Sequence, residues 1–293
     1  MAASQRLPPW IRGTLPSHQY PEVLEILRTH RLATVCREAH CPNIGQCWSQ
    51  RTATVMLLGE RCTRRCSFCA VGTEWPAGEV DATEPERVAS AAGQWGLRYL
   101  VLTMVARDDL PDHGAALLAE TIRALRRQVP EMKVEMLASD LGGSDPALAT
   151  VLGARPQVFA HNVETVARLT PGVRDPRATY ERSLKVLARA KELGGAEILT
   201  KSSIMLGMGE EPAEVRATLR DLRAASVDIV TLGQYLRPGG EGYHPVVRYP
   251  PPAEFAEYAA EARALGFPGV ASGPMVRSSY MAEELYAASV ARR

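Results

Sequence analysis

The sequence predicts an α/β fold: a partial parallel (β/α)6 barrel with an N-terminal and a C-terminal extension. Two observations carry that expectation. Short apolar runs of β character alternate six times with longer segments of helical period, and no long polar linker interrupts the alternation. Each connection of this kind needs a right-handed crossover between parallel strands. An open doubly wound sheet meets the same requirement, but six units suit a barrel that stops short of closing best.

The expected strands cover 54–59, 98–104, 133–138, 157–161, 197–206 and 228–236. Helices are expected at 86–95, 113–129, 145–152, 179–193 and 211–225, with a sixth at 252–265 after the last strand. At 179–193, Tyr180, Leu184, Leu187 and Ala188 fall on one face, and at 211–225 Val215, Leu219 and Leu222 do. Residues 1–53 read as an extension with prolines, one helix near 22–29 and three cysteines. Residues 54–266 form the barrel and 267–293 the second extension. Barrel enzymes carry their ligands where strands end and helices begin. The first such loop holds Cys62, Cys66 and Cys69.

The bulk numbers exclude several classes. With 293 residues, 46% of them hydrophobic, the chain can bury a substantial core without a partner. Its 34 basic and 33 acidic residues leave a net charge of +1, so no global field holds a nucleic acid or an anionic membrane. No apolar run reaches the roughly 18 residues that span a bilayer, and Met1 to Arg12 lack the apolar core of a secretory signal. A cytoplasmic location is expected, with neither nucleic acid nor membrane as partner.

All six cysteines lie between Cys36 and Cys69. Core cysteines would scatter, and a reducing compartment disfavours structural bridges. Cys62-Thr-Arg-Arg-Cys66-Ser-Phe-Cys69 places three thiols on one short loop after a strand, a spacing that can wrap an iron–sulfur cube at three corners. The fourth iron would then stay open, as a metal must if it is to bind a substrate or cofactor directly. A zinc knuckle or a redox dithiol remains an alternative on spacing alone. The second triplet is Cys36-Arg-Glu-Ala-His-Cys41-Pro-Asn-Ile-Gly-Gln-Cys47, in which Pro42 and Gly45 mark a turn that lets the thiols converge. His40 reads as an exposed loop histidine rather than a ligand. A second set of three thiols implies an auxiliary cluster with its own task.

The C-x-x-x-C-x-x-C motif is the defining signature of the radical S-adenosylmethionine (SAM) superfamily, and within it the chain resembles the lipoyl synthases. Those have the C-x4-C-x5-C triplet followed by C-T-R-x-C-x-F-C, matched here at Cys36 to Trp48 and at Cys62 to Cys69. Further matches are Thr103 to Asp109, His161 to Glu164, Thr200 to Ser202, Gly207 to Glu210, Thr231 to Leu236 and Gly273 to Tyr280, so the likeness spans nearly the whole chain. Ala106, where the family usually has an acid, and Met281, where a polar residue often stands, depart from the pattern.

The resemblance implies two [4Fe–4S] clusters and SAM, which one electron would split to give a 5′-deoxyadenosyl radical. It implies insertion of two sulfur atoms at C6 and C8 of a protein-bound octanoyl group, positions whose C–H bonds no side-chain base can deprotonate. The metal ligands implied are Cys36, Cys41, Cys47, Cys62, Cys66 and Cys69, with Ser279 completing the auxiliary cluster (Ser278 the fallback) and Arg277 beside it. For SAM the resemblance points to Phe68, Met205 and Gly207 at the adenine and Thr103 at the methionyl group. Barrel logic adds Asn162 and Lys201, expected to end the fourth and fifth strands. The implied partners are octanoylated lipoyl carrier domains (dehydrogenase E2 subunits, the glycine cleavage H protein) and a low-potential electron donor such as ferredoxin or flavodoxin.

Overall fold

A computed structural model of the chain describes residues 7–13, 20–38, 41–49 and 52–293, apart from the side chain of Ala53. His40 lies outside the described residues. The main sheet takes in β1 (Ala33–Thr34), β2 (Thr52–Leu57), β5 (Tyr99–Met104), β6 (Lys133–Leu137), β7 (Val158–Ala160), β8 (Leu199–Leu206), β9 (Ile229–Gln234) and β10 (Gly269–Ser272), hydrogen-bonded in that order. A separate pair is made by β3 (Arg61–Cys62) and β4 (Gly72–Thr73). From β2 to β10 every pairing is parallel, and β1 runs antiparallel on β2. The sheet thus ends in two edges, β1 and β10, as a barrel short of closure does.

The six expected strands are present within one or two residues at most ends. Sequence reading missed β10, four residues long, and with it the continuation of the sheet beyond residue 266. At the other end, the two residues of β1 and the start of β2 join residues assigned to the first extension to the sheet. Short strands such as these leave no period to detect.

Alternation along the strands sorts residues between two faces. In β5, Leu100 and Leu102 face outward into the main core, while Tyr99 and Val101 face the barrel interior. Outside lie the helices: α1 (Tyr20–Thr29), α2 (Val35–Glu38), α3 (Ile44–Ser49), α4 (Glu84–Trp95), α5 (Ala115–Gln128), α6 (Asp145–Gly153), α7 (Thr170–Val173), α8 (Tyr180–Gly194), α9 (Pro212–Ala224) and α10 (Pro252–Ala264). Local chemistry sets their ends. Ser144 and Thr179 cap α6 and α8 by accepting backbone N–H bonds from Ala147 and Arg182, and Gly96 at φ 66° stops α4.

The last helix, α11 (Ala282–Val290), differs from the others by packing against interior residues. Its Ala282, Leu285 and Tyr286 meet Tyr99, Val101, Val158, Leu199 and Ile229, all near the amino ends of their strands. It therefore plugs the end of the barrel opposite the strand-end loops. Among the described residues no helix is long and apolar enough to cross a membrane.

Candidate active site

Pairing of β3 with β4 closes the base of the loop that carries Cys62, Cys66 and Cys69, all three with free thiols. Backbone N–H groups point at two of the sulfurs, from Arg64 to Cys62 and from Asp175 to Cys66, each at 3.4 Å. Burial pushes the Cys66 thiol up, and pushes Cys69 up to about 12 with help from its sulfur neighbours. Such thiols stay protonated unless a cation takes the charge, which is what an iron–sulfur cluster does. Among the described residues no three His, Cys, Asp or Glu side chains converge tightly enough for one metal ion.

Beside this loop Phe68 and Met205 pack with Val246 against buried Val173, Met208 and Tyr235. Asn162, just past β7, buries its Oδ1 with no partner, and its amide hydrogen-bonds Glu164. Burial raises the Glu164 carboxyl against the pull of Arg174, and Glu164 in turn bears electrostatically on Cys66 and Cys69. Thr103 lies near the carboxyl end of β5, in register with Met56 and Leu137. At Gly207 (φ 100°) a β-carbon would collide with the Gln234 amide, so this position requires glycine for backbone reasons of its own. Phe68 and Met205 supply partly exposed apolar surface and Asn162 an unused buried acceptor, features that fit an adenosine-bearing ligand.

Lys201 requires a correction. It is the third residue of β8 and not its end, and its ammonium is buried on Glu135 at 2.8 and 3.0 Å. The side chain is committed to that pair, below the strand-end loops, and does not belong to the cofactor contacts. The expected strand, 197–206, already leaves residue 201 in its interior, and β8 runs on to Leu206.

The second triplet is assembled by the two ends of the chain together. Cys36, Cys41 and Cys47 line one narrow cavity with Thr52 and Thr54 of β2 and with Arg277 and Ser279 from the segment before α11. Asn43 donates to the Met275 carbonyl at 2.6 Å and Tyr280 to Gln46 at 3.2 Å, bolting one end to the other. Burial and the neighbouring sulfurs push Cys47 up to about 12, and burial also raises Cys41. Arg277 is held below its usual value by burial, opposed by Cys41, and its Nη2 is buried with no partner. Three soft donors, Cys36 buried and Cys41 and Cys47 partly so, and a guanidinium with its Nη2 unpartnered fit an anionic iron–sulfur group.

A parallel barrel that stops short of closure, with a C-x-x-x-C-x-x-C loop after its first interior strand, defines a radical SAM enzyme. The family model for the radical SAM superfamily matches residues 56–222, and the chain belongs to that superfamily. Within it the chain belongs to the lipoyl synthases. It is 55% identical to the lipoyl synthase of Thermus thermophilus over 95% of this chain and 86% of that one, and 52% identical to that of Pyrobaculum calidifontis over 96% of each. The lipoyl synthase of Deinococcus radiodurans is 50% identical over 96% of this chain and 85% of its own. A hydrogenase maturase, HydG, shares the fold with a TM-score of 0.59 at 14% identity, over 85% of this chain and 63% of its own. Methylornithine synthase does so with 0.53 at 14% identity, over 78% and 63%. The activity is a sulfur-inserting radical SAM reaction, and the superfamily brings one [4Fe–4S] cluster and SAM.

Several residues of the site escaped sequence reading. Glu164 stood in a quoted motif without a role, and only the fold brings it near the cysteine loop. Gly233 in β9 admits the C-terminal segment, because a β-carbon there would collide with the Val276 carbonyl. Ala106, a departure from the family pattern, holds Thr63 through its carbonyl oxygen at 3.0 Å, a contact any side chain allows.

Proposed function

We propose that this chain carries two [4Fe–4S] clusters and inserts two sulfur atoms at C6 and C8 of an octanoyl group borne on a lysine of a lipoyl carrier domain. Cys62, Cys66 and Cys69 hold the first cluster, leaving one iron for SAM. Cys36, Cys41 and Cys47 hold the second, with the Ser279 hydroxyl as its fourth protein ligand. When bound, the first cluster supplies the electron that splits SAM and the second supplies sulfur.

The observation that carries this reading is the cavity shared by Cys36, Cys41, Cys47, Arg277 and Ser279, which unites residues 230 or more positions apart. Ser279 lines it and Ser278 does not, which favours the first as ligand. A hard oxygen donor among soft thiolates is the one most readily released, as a sacrificial cluster requires. Arg277 offers an unpaired donor to that site, while Phe68, Met205, Thr103, Asn162 and Gly207 shape the SAM pocket and exclude water. The carriers are dehydrogenase E2 subunits or the glycine cleavage H protein, met through a small and transient interface, and a ferredoxin or flavodoxin supplies electrons.

Anaerobically reconstituted protein, given SAM, a reductant and an octanoylated lysine peptide, is expected to add the mass of sulfur and release 5′-deoxyadenosine. Cys36→Ala should still cleave SAM without thiolating the peptide, and Cys66→Ala should do neither. Full thiolation by the Cys36 variant would refute the sacrificial role.

A further inference from the structure

Arg64 stands inside the cysteine loop, between Cys62 and Cys66, yet its side chain turns inward and is only 5% exposed. Its guanidinium closes a fork on Asp108, Nε to Oδ2 at 2.9 Å and Nη2 to Oδ1 at 2.7 Å. The same Nη2 reaches Oδ1 of Asp140 at 2.7 Å. Asp108 lies beyond the carboxyl end of β5 and Asp140 beyond that of β6. One side chain of the loop is thereby fastened to two neighbouring strand ends.

The rest of the loop is tied into the same network. The Thr63 hydroxyl donates to Asp108 at 2.6 Å, and Arg177 donates to the Thr63 carbonyl at 2.6 Å. Arg177 also holds Asp175 at 2.8 Å, whose carboxylate accepts the Arg65 N–H at 3.0 Å and whose own N–H meets the Cys66 sulfur. A buried cation between carboxylates is a weak source of stability, since desolvation offsets most of the attraction and apolar packing would serve the fold as well. What it confers is geometry, because a planar guanidinium admits few arrangements of two carboxylates.

We infer that Arg64, Asp108 and Asp140 are positioning residues for SAM cleavage, fixing the three thiols of the loop at one place relative to the apolar cluster of Phe68, Met205 and Val246. The inference rests on the reading that Cys62, Cys66 and Cys69 hold the cluster that binds SAM. It explains why Thr63, Arg64 and Asp108 lie in motifs shared with the lipoyl synthases although their side chains bond one another.

The test uses reconstituted holoprotein carrying Arg64→Lys, which keeps the charge but cannot span both carboxylates, and separately Asp140→Asn, which leaves the Arg64–Asp108 fork in place. Iron and sulfide per chain, the electron paramagnetic resonance signal of the reduced protein with and without SAM, and KM against kcat for 5′-deoxyadenosine are measured. Arg64→Lys is expected to keep its iron, to lose or broaden the SAM-dependent change in the signal, and to raise KM for SAM by about tenfold or more. Asp140→Asn should move the same readouts less. Full iron with an unchanged SAM response and KM in Arg64→Lys would overturn the inference. If Arg64→Lys does not retain iron, Asp140→Asn decides, an altered SAM response supporting the inference and an unaltered one overturning it. Unsubstituted protein that holds iron but shows no SAM-dependent signal would overturn the cluster assignment itself, whatever the variants do.

Discussion

The Lys201 ammonium lies 2.8 Å from one carboxylate oxygen of Glu135, and the Tyr99 hydroxyl donates to the other at 2.9 Å, all three residues buried in the barrel. Removing one partner of such a pair strands the other charge away from water. Lys201→Met should therefore destabilise the protein by about 3–5 kcal/mol, whereas Lys201→Met combined with Glu135→Leu should recover most of the loss. Denaturant unfolding of the apoprotein measures both. The double variant should also keep the KM for SAM, and a large rise would return Lys201 to the cofactor site.

His161 is buried among polar groups, its Nδ1 on the Ala138 carbonyl at 3.0 Å and its Nε2 on the Ser183 hydroxyl at 2.9 Å. A carbonyl accepts, so Nδ1 carries the proton and Nε2 accepts from Ser183. Burial first, and the charge of Arg174 second, push this ring down to about 4. The unfolded chain takes up a proton below about 6.5 and the folded one does not, so stability falls as pH drops from about 6.5 to about 4 and levels off below that. The full contribution is about 3 kcal/mol. Stability against pH should be flatter in His161→Asn, and parallel curves for the two proteins would contradict the assignment.

Gly233 faces the Val276 carbonyl so closely that a β-carbon has no room. Gly233→Ala should displace the segment carrying Arg277 and Ser279 while leaving the Cys62 loop in place. Iron is expected to fall from about eight to about four atoms per chain, with SAM cleavage retained and peptide thiolation lost. Normal iron content and thiolation would show that the segment tolerates the shift.

Trp48 is fully buried, stacked on Tyr20 at 4.8 Å between ring centres and edge-on to Trp95 at 6.2 Å. Its Nε1 has no hydrogen-bond partner, so packing is what it contributes. Trp48→Ala should cost about 3–5 kcal/mol, and Trp48→Phe under about 2 kcal/mol because no bond is broken and most contacts persist. Urea midpoints compare them, and equal losses would reveal a polar role for the indole.

The sequence alone determined the alternation of strands and helices, the parallel sheet, and the two cysteine triplets with their distinct spacings. These are local properties: hydrophobic period, turn residues and the spacing of thiols along a few residues of chain. Tertiary structure alone decided that Lys201 answers to Glu135, that Arg64 reaches Asp108 and Asp140, and that Arg277 and Ser279 share a cavity with Cys36. Each of these is a meeting of groups far apart in the chain, set by strand register and by how the last residues cross the open edge of the barrel. No spacing along the sequence encodes such a distance, because it depends on every element packed between the two partners.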